Sequence, residues 1–278
     1  MITPNGRHLG GKRSPPDGRD FRYVPRIMPL VAAPPPSRVD RRANFPQAFN
    51  QLNIGSCTGN AAAGKLAEVF PGFMASRLAA YYNGRWIEGT TSTDSGVYTR
   101  DMMKVMQAGI ISEAEWPYDV DKFALAPPAP DQTIRSIQTY VQLSVQEDLV
   151  DYIANEGSCV FSFEVPQALD DDFVAGTGIL LPASNPTIIA GHCVVGCGYD
   201  LNFLASPEFL TSQANPAGLE PTWVLVRNSW GATWGLEGYF WMPMSWVLGD
   251  TTGNDAWGTY QANVPEVAGV PITGHFQH

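Results

Sequence analysis

The chain is short of basic residues and shorter still of cysteine. Lysine and arginine together number 17 against 27 aspartates and glutamates, for a net charge of −10 in 278 residues. No basic block occurs beyond residue 42. That deficit argues against nucleic acid or an anionic membrane as partner, and the acidic surplus reads as solubility. Four cysteines are too few for a disulfide framework in a chain this long. No apolar run reaches the roughly 18 residues of a membrane span. The first seven residues, MITPNGR, lack the apolar core of a secretory signal, so none is expected. His192, Cys193 and Cys197 share one short apolar run. On a strand, His192 and Cys193 point to opposite faces and Cys193 and Cys197 lie about 13 Å apart. Zinc needs four convergent ligands, so neither a metal nor another cofactor is expected. No internal repeat is visible.

What is present is an apolar, helix-then-strand chain. The hydrophobic content of 44% suits one enzyme-sized domain or two intimate lobes. Gln51-Leu-Asn-Ile-Gly-Ser-Cys57-Thr-Gly-Asn-Ala61 runs into an alanine-rich helix over residues 60–70, stopped by Pro71. Cys57 therefore stands at a helix N-terminus, where unpaired N–H groups and the helix dipole favour an anion. A nearby imidazolium would lower its thiol pKa further. Two later runs supply partners: Gly191-His192-Cys-Val-Val-Gly-Cys-Gly-Tyr199, and Trp223-Val-Leu-Val-Arg-Asn228-Ser-Trp230-Gly. Cysteine, histidine and an amide to hold the ring are the nucleophile, base and orienter of acyl transfer. Singly, each has a plainer reading as a buried thiol, a core histidine or a turn cap.

Together, Gln51 with Gly-Ser-Cys57, Gly-His192 and Asn228-Ser-Trp-Gly resemble the papain (cathepsin-like) family of cysteine proteases. The resemblance covers about residues 44–261. It implies an α+β fold of two lobes, helical then antiparallel β-rich, with the active-site cleft between them. It also implies an endopeptidase: Cys57 attacks, His192 transfers the proton, Asn228 fixes the ring, and Gln51 with the Cys57 amide forms the oxyanion hole. Trp230 would shield the His–Asn bond. Gly96 stands where the family's substrate-contacting glycine lies, with Ser95 in place of its usual glycine neighbour. Gly191 stands where an aspartate often precedes the histidine. The family usually carries a cysteine at the place of Ile54, with its partner near Thr93. Losing both suggests a fold without that disulfide and favours a cytoplasmic or other reducing compartment. Polypeptide substrates and a monomer are expected.

The remaining segments are read as a frame for this site. Residues 1–42 form a proline- and arginine-rich arm, either packed along the body or lying across the cleft as a short zymogen segment. Residues 43–265 form the peptidase domain, with the helical lobe at about 50–115 and the β-rich lobe at about 116–265; 266–278 is a tail. Helices are expected over 76–83, closed by Gly84, and over 97–107, whose Met102, Met103 and Met106 fill core. Ser144 and Glu147 suggest a capping box for a helix to residue 156. Strands are expected at 134–145, 158–165, 188–199, 222–228 and 238–242, and residues 202–221 read as polar loop. Cys159 and Cys193 are candidates for neighbours on adjacent strands. Two other functions stay open: an acyl transferase or ligase using the same thioester, and a non-catalytic binding module on a protease scaffold.

Overall fold

The computed structural model describes residues 2–3, 6–25, 34–129, 134–166, 177–181, 187–212, 214–248 and 255–261. The first lobe holds α1 (Cys57–Val69) and α2 (Arg77–Ile87), then α3 (Thr99–Ala108), which follows a short strand. In chain order the strands are β1 (Gly11–Lys12), β2 (Arg38–Asp40), β3 (Val97–Tyr98), β4 (Thr139–Leu143), β5 (Cys159–Pro166), β6 (Ile188–Asp200), β7 (Trp223–Arg227), β8 (Tyr239–Pro243) and β9 (Ala256–Tyr260). Against them lie α4 (Gln146–Asn155), α5 (Pro207–Ser212) and α6 (Met244–Leu248).

β6 is the spine of the sheet. It pairs antiparallel with β5, β7, β2 and β1, while β8 extends the sheet beyond β7, and β9 and β4 extend it beyond β5. Alternation along β6 sends Cys193, Val195 and Cys197 into a cluster with Ala61, Leu66 and Met102 of the helical lobe. Val194 goes the other way, into a cluster with Leu149, Tyr152 and Ile153 of α4. One strand thus binds both layers, which is the period-two consequence of the pleat. The expected α+β, two-lobe architecture is what forms.

Local expectations shift in identifiable ways. Gly84 does not close α2; it sits inside the helix because a Cβ there would stand 2.7 Å from a Val97 methyl. The third helix starts two residues late because Val97 and Tyr98 pair with β1. Gly109 does end it, at φ 103°. All three methionines are fully buried. Asp148, not Glu147, caps α4: its Oδ2 accepts from the Ser144 and Val145 amides at 2.8 and 3.2 Å. The strand expected over 134–145 shortens to β4, and the segment 202–221 contains the short α5. The register sets Ser162, not Cys159, across from Cys193, and Cys159 faces Gly196. All four cysteines are free and buried. The suggested tail, 266–278, lies outside the described residues.

The N-terminal arm belongs to this sheet. β1 crosses from β3 of the helical lobe to β6 of the other, and β2 pairs with the far end of β6. Further along, Tyr23 N donates to Gln142 O at 2.8 Å and Gln142 N to Phe21 O at 2.7 Å. Arg100 pairs with Asp20 at 2.5 Å and Lys12 with Glu88 at 2.5 Å.

Candidate active site

Backbone pairing brings the candidate residues together. Gln51 N donates to Ser229 O at 2.9 Å and Gly231 N to Phe49 O at 2.8 Å, so the loop before α1 is laid along the segment after β7. Gln51 Oε1 accepts from Ser229 Oγ at 2.6 Å, which aims the amide nitrogen into the cleft. Tyr118, from the Trp-Pro-Tyr turn, donates its hydroxyl to Gln51 O at 2.8 Å and lies 2.5 Å from Ser56 Oγ. Cys57 is the first residue of α1 and has no exposed surface.

His192 lies on β6 with its Nε2 2.8 Å from Asn228 Oδ1. The same Oδ1 already accepts the Ser229 amide at 2.8 Å. An oxygen serving two neighbours must be met by donors, so Nε2 carries the proton and Nδ1 keeps its lone pair. Nδ1 is buried without a hydrogen-bond partner. Trp230 stacks on the imidazole, ring centroids 4.9 Å apart and planes 24° apart, and so covers the His–Asn bond.

The place expected of the family's disulfide is held by hydrogen bonds. Gly55 N donates to both oxygens of Asp94 at 2.9 Å, and Tyr81 donates its hydroxyl to Asp94 Oδ1 at 2.5 Å. Arg85 fastens the same loop through Thr91 O and Thr93 O, both at 2.9 Å. Ser95 is turned into that loop, its hydroxyl on Thr90 Oγ1 at 2.7 Å. Gly96, at φ 71°, is buried against the arm, where a Cβ would stand 2.1 Å from Gly10 O.

The cleft is filled by residues 8–12 of the arm. Gln51 Nε2 donates to His8 O at 3.0 Å, as well as to Ile54 O at 3.0 Å. Val97 N donates to Gly10 O at 2.9 Å, and Gly11 sits between Val97 and Gly191. The fit leaves no space for a side chain. A Cβ on Gly10 would stand 1.9 Å from Gly55 O, and one on Gly11 would stand 2.7 Å from Cys193 N. A cavity of about 420 Å³ is lined by Trp230 with Arg7, His8, Asn50, Leu52 and Asn53.

Burial decides the electrostatics. Burial pushes the Cys57 thiol up to about 11, although the Cys193, Gly10 and Thr58 amides act against it. Burial likewise pushes His192 down to about 4, with Asn228 opposing. The depressed thiol expected from the helix terminus and an imidazolium is therefore not the state described. Desolvation penalises the charged form of both partners, and under the arm both are neutral at pH 7.

A family model for papain family cysteine proteases matches residues 35–248. The chain belongs to the papain family of cysteine proteases. An uncharacterised peptidase C1-like protein of Acanthamoeba polyphaga mimivirus is 29% identical, over 90% of this chain and 86% of that one. Xylellain, a cysteine protease of Xylella fastidiosa, is 29% identical, covering 91% of this chain and 96% of its own, with a TM-score of 0.71. A digestive procathepsin L2 of Tenebrio molitor larvae, 21% identical, shares the fold at a TM-score of 0.67 over 91% of this chain and 78% of its own.

In this papain-family chain, Cys57, His192, Asn228, Gln51, Trp230, Gly191 and Gly96 gather around one cleft, and Ser95 stands aside. Sequence reasoning did not find Asp94, Ser229 or the arm residues His8 and Gly10. The one available signal for the arm was the Gly10-Gly11 pair within an otherwise proline- and arginine-rich stretch.

Proposed function

We propose that this protease hydrolyses peptide bonds through Cys57 and His192, and that the described conformation is its latent form, with the arm as inhibitor. The observation that carries this reading is a peptide in the substrate's place: His8 O on the Gln51 amide, and Gly10-Gly11 between the lobes over Cys57. Withdrawal of the arm rehydrates the cleft and frees His192 Nδ1 to take the Cys57 proton. The thiolate then attacks a substrate carbonyl carbon. Gln51 Nε2–H and the Cys57 amide hold the oxygen as it gains charge, each such donor being worth about 3 kcal/mol. Collapse breaks the C–N bond, and the leaving amine takes the proton from His192. Water, deprotonated by His192, cleaves the thioester and returns the thiol.

The test is labelling by a peptidyl epoxide in reductant, read by intact mass. It compares the full chain with a full chain carrying Gly10→Val and Gly11→Val. One adduct on Cys57 in the variant, little in the parent, and none after His192→Ala is the expected pattern. Equal labelling of parent and variant refutes an inhibitory arm. No labelling of a folded variant refutes the peptidase and leaves a binding module whose cleft the arm fills.

A further inference from the structure

The two donors that would hold a substrate's carbonyl oxygen come from different pieces of chain. Gln51 Nε2–H stands on the loop before α1, and the Cys57 N–H belongs to the first residue of α1. The loop between them carries Leu52 at φ 57°, so no repeating backbone geometry sets their spacing. Both must nonetheless come within about 2.7–3.1 Å of one oxygen.

A buried relay of hydrogen bonds joins them. Asn60 Nδ2 donates to Ser56 Oγ at 3.1 Å and to Ser56 O at 3.0 Å. Ser56 Oγ lies 2.5 Å from the Tyr118 hydroxyl, which donates to Gln51 O at 2.8 Å. A carbonyl only accepts, so Tyr118 gives its one proton to Gln51 O and takes the proton of Ser56. Burial raises the Tyr118 pKa, which keeps that proton in place. Asn60 N also donates to Ser56 O, at 3.0 Å. With this oxygen held on the helix side, the trans peptide turns the Cys57 N–H the opposite way, into the cleft. Arg77 lies 3.9 Å from the Tyr118 ring centroid and is itself held by both oxygens of Glu113, at 2.9 and 2.6 Å.

Ser56 is diverted from its local task. It is the N-cap residue of α1, where a serine hydroxyl ordinarily accepts from the second or third helical amide. Here it makes no capping bond. A local rule set aside in this way marks a group put to another use.

From these contacts we infer that Tyr118 positions the oxyanion hole, its hydroxyl setting the distance between the Gln51 amide and the Cys57 N–H. The inference rests on the peptidase reading. Tyr118 acts through Gln51 and Ser56, not on the substrate. Without its hydroxyl, Gln51 O loses this donor, Ser56 Oγ–H loses its acceptor, and the loop is free to shift on the helix. Cys57 and His192 stay where α1 and β6 put them. The loss therefore falls on steps that build charge on an atom in the hole, and on no others.

The experiment uses the full chain carrying Gly10→Val and Gly11→Val, with and without Tyr118→Phe. Hydrolysis of an internally quenched peptide and inhibition by a peptidyl nitrile both use the hole. In the second, the thiolate forms a C–S bond to the nitrile carbon, and the nitrogen gains charge and then the proton from His192, giving a thioimidate. Alkylation by iodoacetamide displaces iodide and builds no charge there. Tyr118→Phe should lower kcat by about tenfold with KM nearly unchanged, short of the hundredfold or more of losing a donor outright. Nitrile binding should weaken by a similar factor, while the alkylation rate stays the same. Ser56→Ala, which breaks the relay at the next bond, should reproduce the pattern. In a Gln51→Ala background the Tyr118→Phe step should shrink to about twofold, since the donor it places is gone. A fall in all three measurements together, no fall in any, or an undiminished step without Gln51 overturns the positioning role and leaves the peptidase standing. An arm-displaced chain that cleaves no peptide and takes no nitrile overturns both.

Discussion

Displacing the arm should change the chemistry of Cys57 by an amount that the structure sets. With its thiol near 11, Cys57 is about 10⁻⁴ thiolate at pH 7. At the ordinary cysteine value of about 8.5 the fraction is about 3%, a gain of roughly 300-fold. The less basic thiolate is also the weaker nucleophile; a Brønsted slope near 0.45 over 2.5 units takes back about 13-fold. The net gain is about 25-fold before any steric relief, and pairing with His192 adds to it. Gly10→Val with Gly11→Val forces the displacement, since even one Cβ at Gly10 would overlap the Gly55 carbonyl. The assay is the second-order rate of Cys57 alkylation by iodoacetamide between pH 5 and 10, read by mass. The parent should react slowly, its rate still climbing at pH 10. The variant should react at least about 25 times faster at pH 7, with its rise moved to lower pH. Equal rates, or parallel profiles, would refute the claim that the arm holds the thiol neutral.

Three further outcomes follow from contacts in the structure. Asn228→Ala in the arm-displaced chain strips His192 Nε2–H of its acceptor and releases the tautomer, so kcat should drop by roughly a hundredfold, with less change in KM, in steady-state peptide hydrolysis. Asp94→Ala in the arm-displaced chain removes the tie between Gly55 and the loop of Gly96; a loss of about tenfold in kcat/KM for peptide hydrolysis is expected. Glu68→Gln abandons the Lys65 ammonium, which is 2% exposed, and should cost about 3 kcal/mol in urea unfolding. Burial opposes ionisation of Glu68, but Lys65 and Ser158 outweigh it and its pKa is lowered. Its stabilisation is therefore full above the unfolded carboxyl's value, near 4.5, and fades as pH falls through the lower folded value. The parent's stability should decline below pH 4.5 more steeply than that of Glu68→Gln.

Much of the fold was written in local patterns. The alanine-rich run after Cys57, the β-branched run around His192 and the glycine after Ala108 each carry their own conformational preference, and α1, β6 and the end of α3 fall where those preferences put them. The residues of the site were legible for a different reason: acyl transfer needs a thiol, an imidazole and an amide, and each stands in a distinctive short motif. The registers were not legible. Cys159 lies opposite Gly196 because β5 pairs at one offset and not another, and nothing local to either strand states that offset. Gly84 looked like a helix stop, but its partner is Val97, thirteen residues on and in another element.

The charge state and the cover of the site belong to the same second class. By itself, the sequence determined which chemical groups are present and which helix end or strand each occupies, because those depend on residue type and near neighbours. Tertiary structure alone decided that Gly10 and Gly11 lie over Cys57, that Ser14 rests on Asp255, and that burial leaves thiol and imidazole both neutral. Desolvation and close approach are properties of what surrounds an atom, and at this site the surroundings come from segments as much as 241 residues apart.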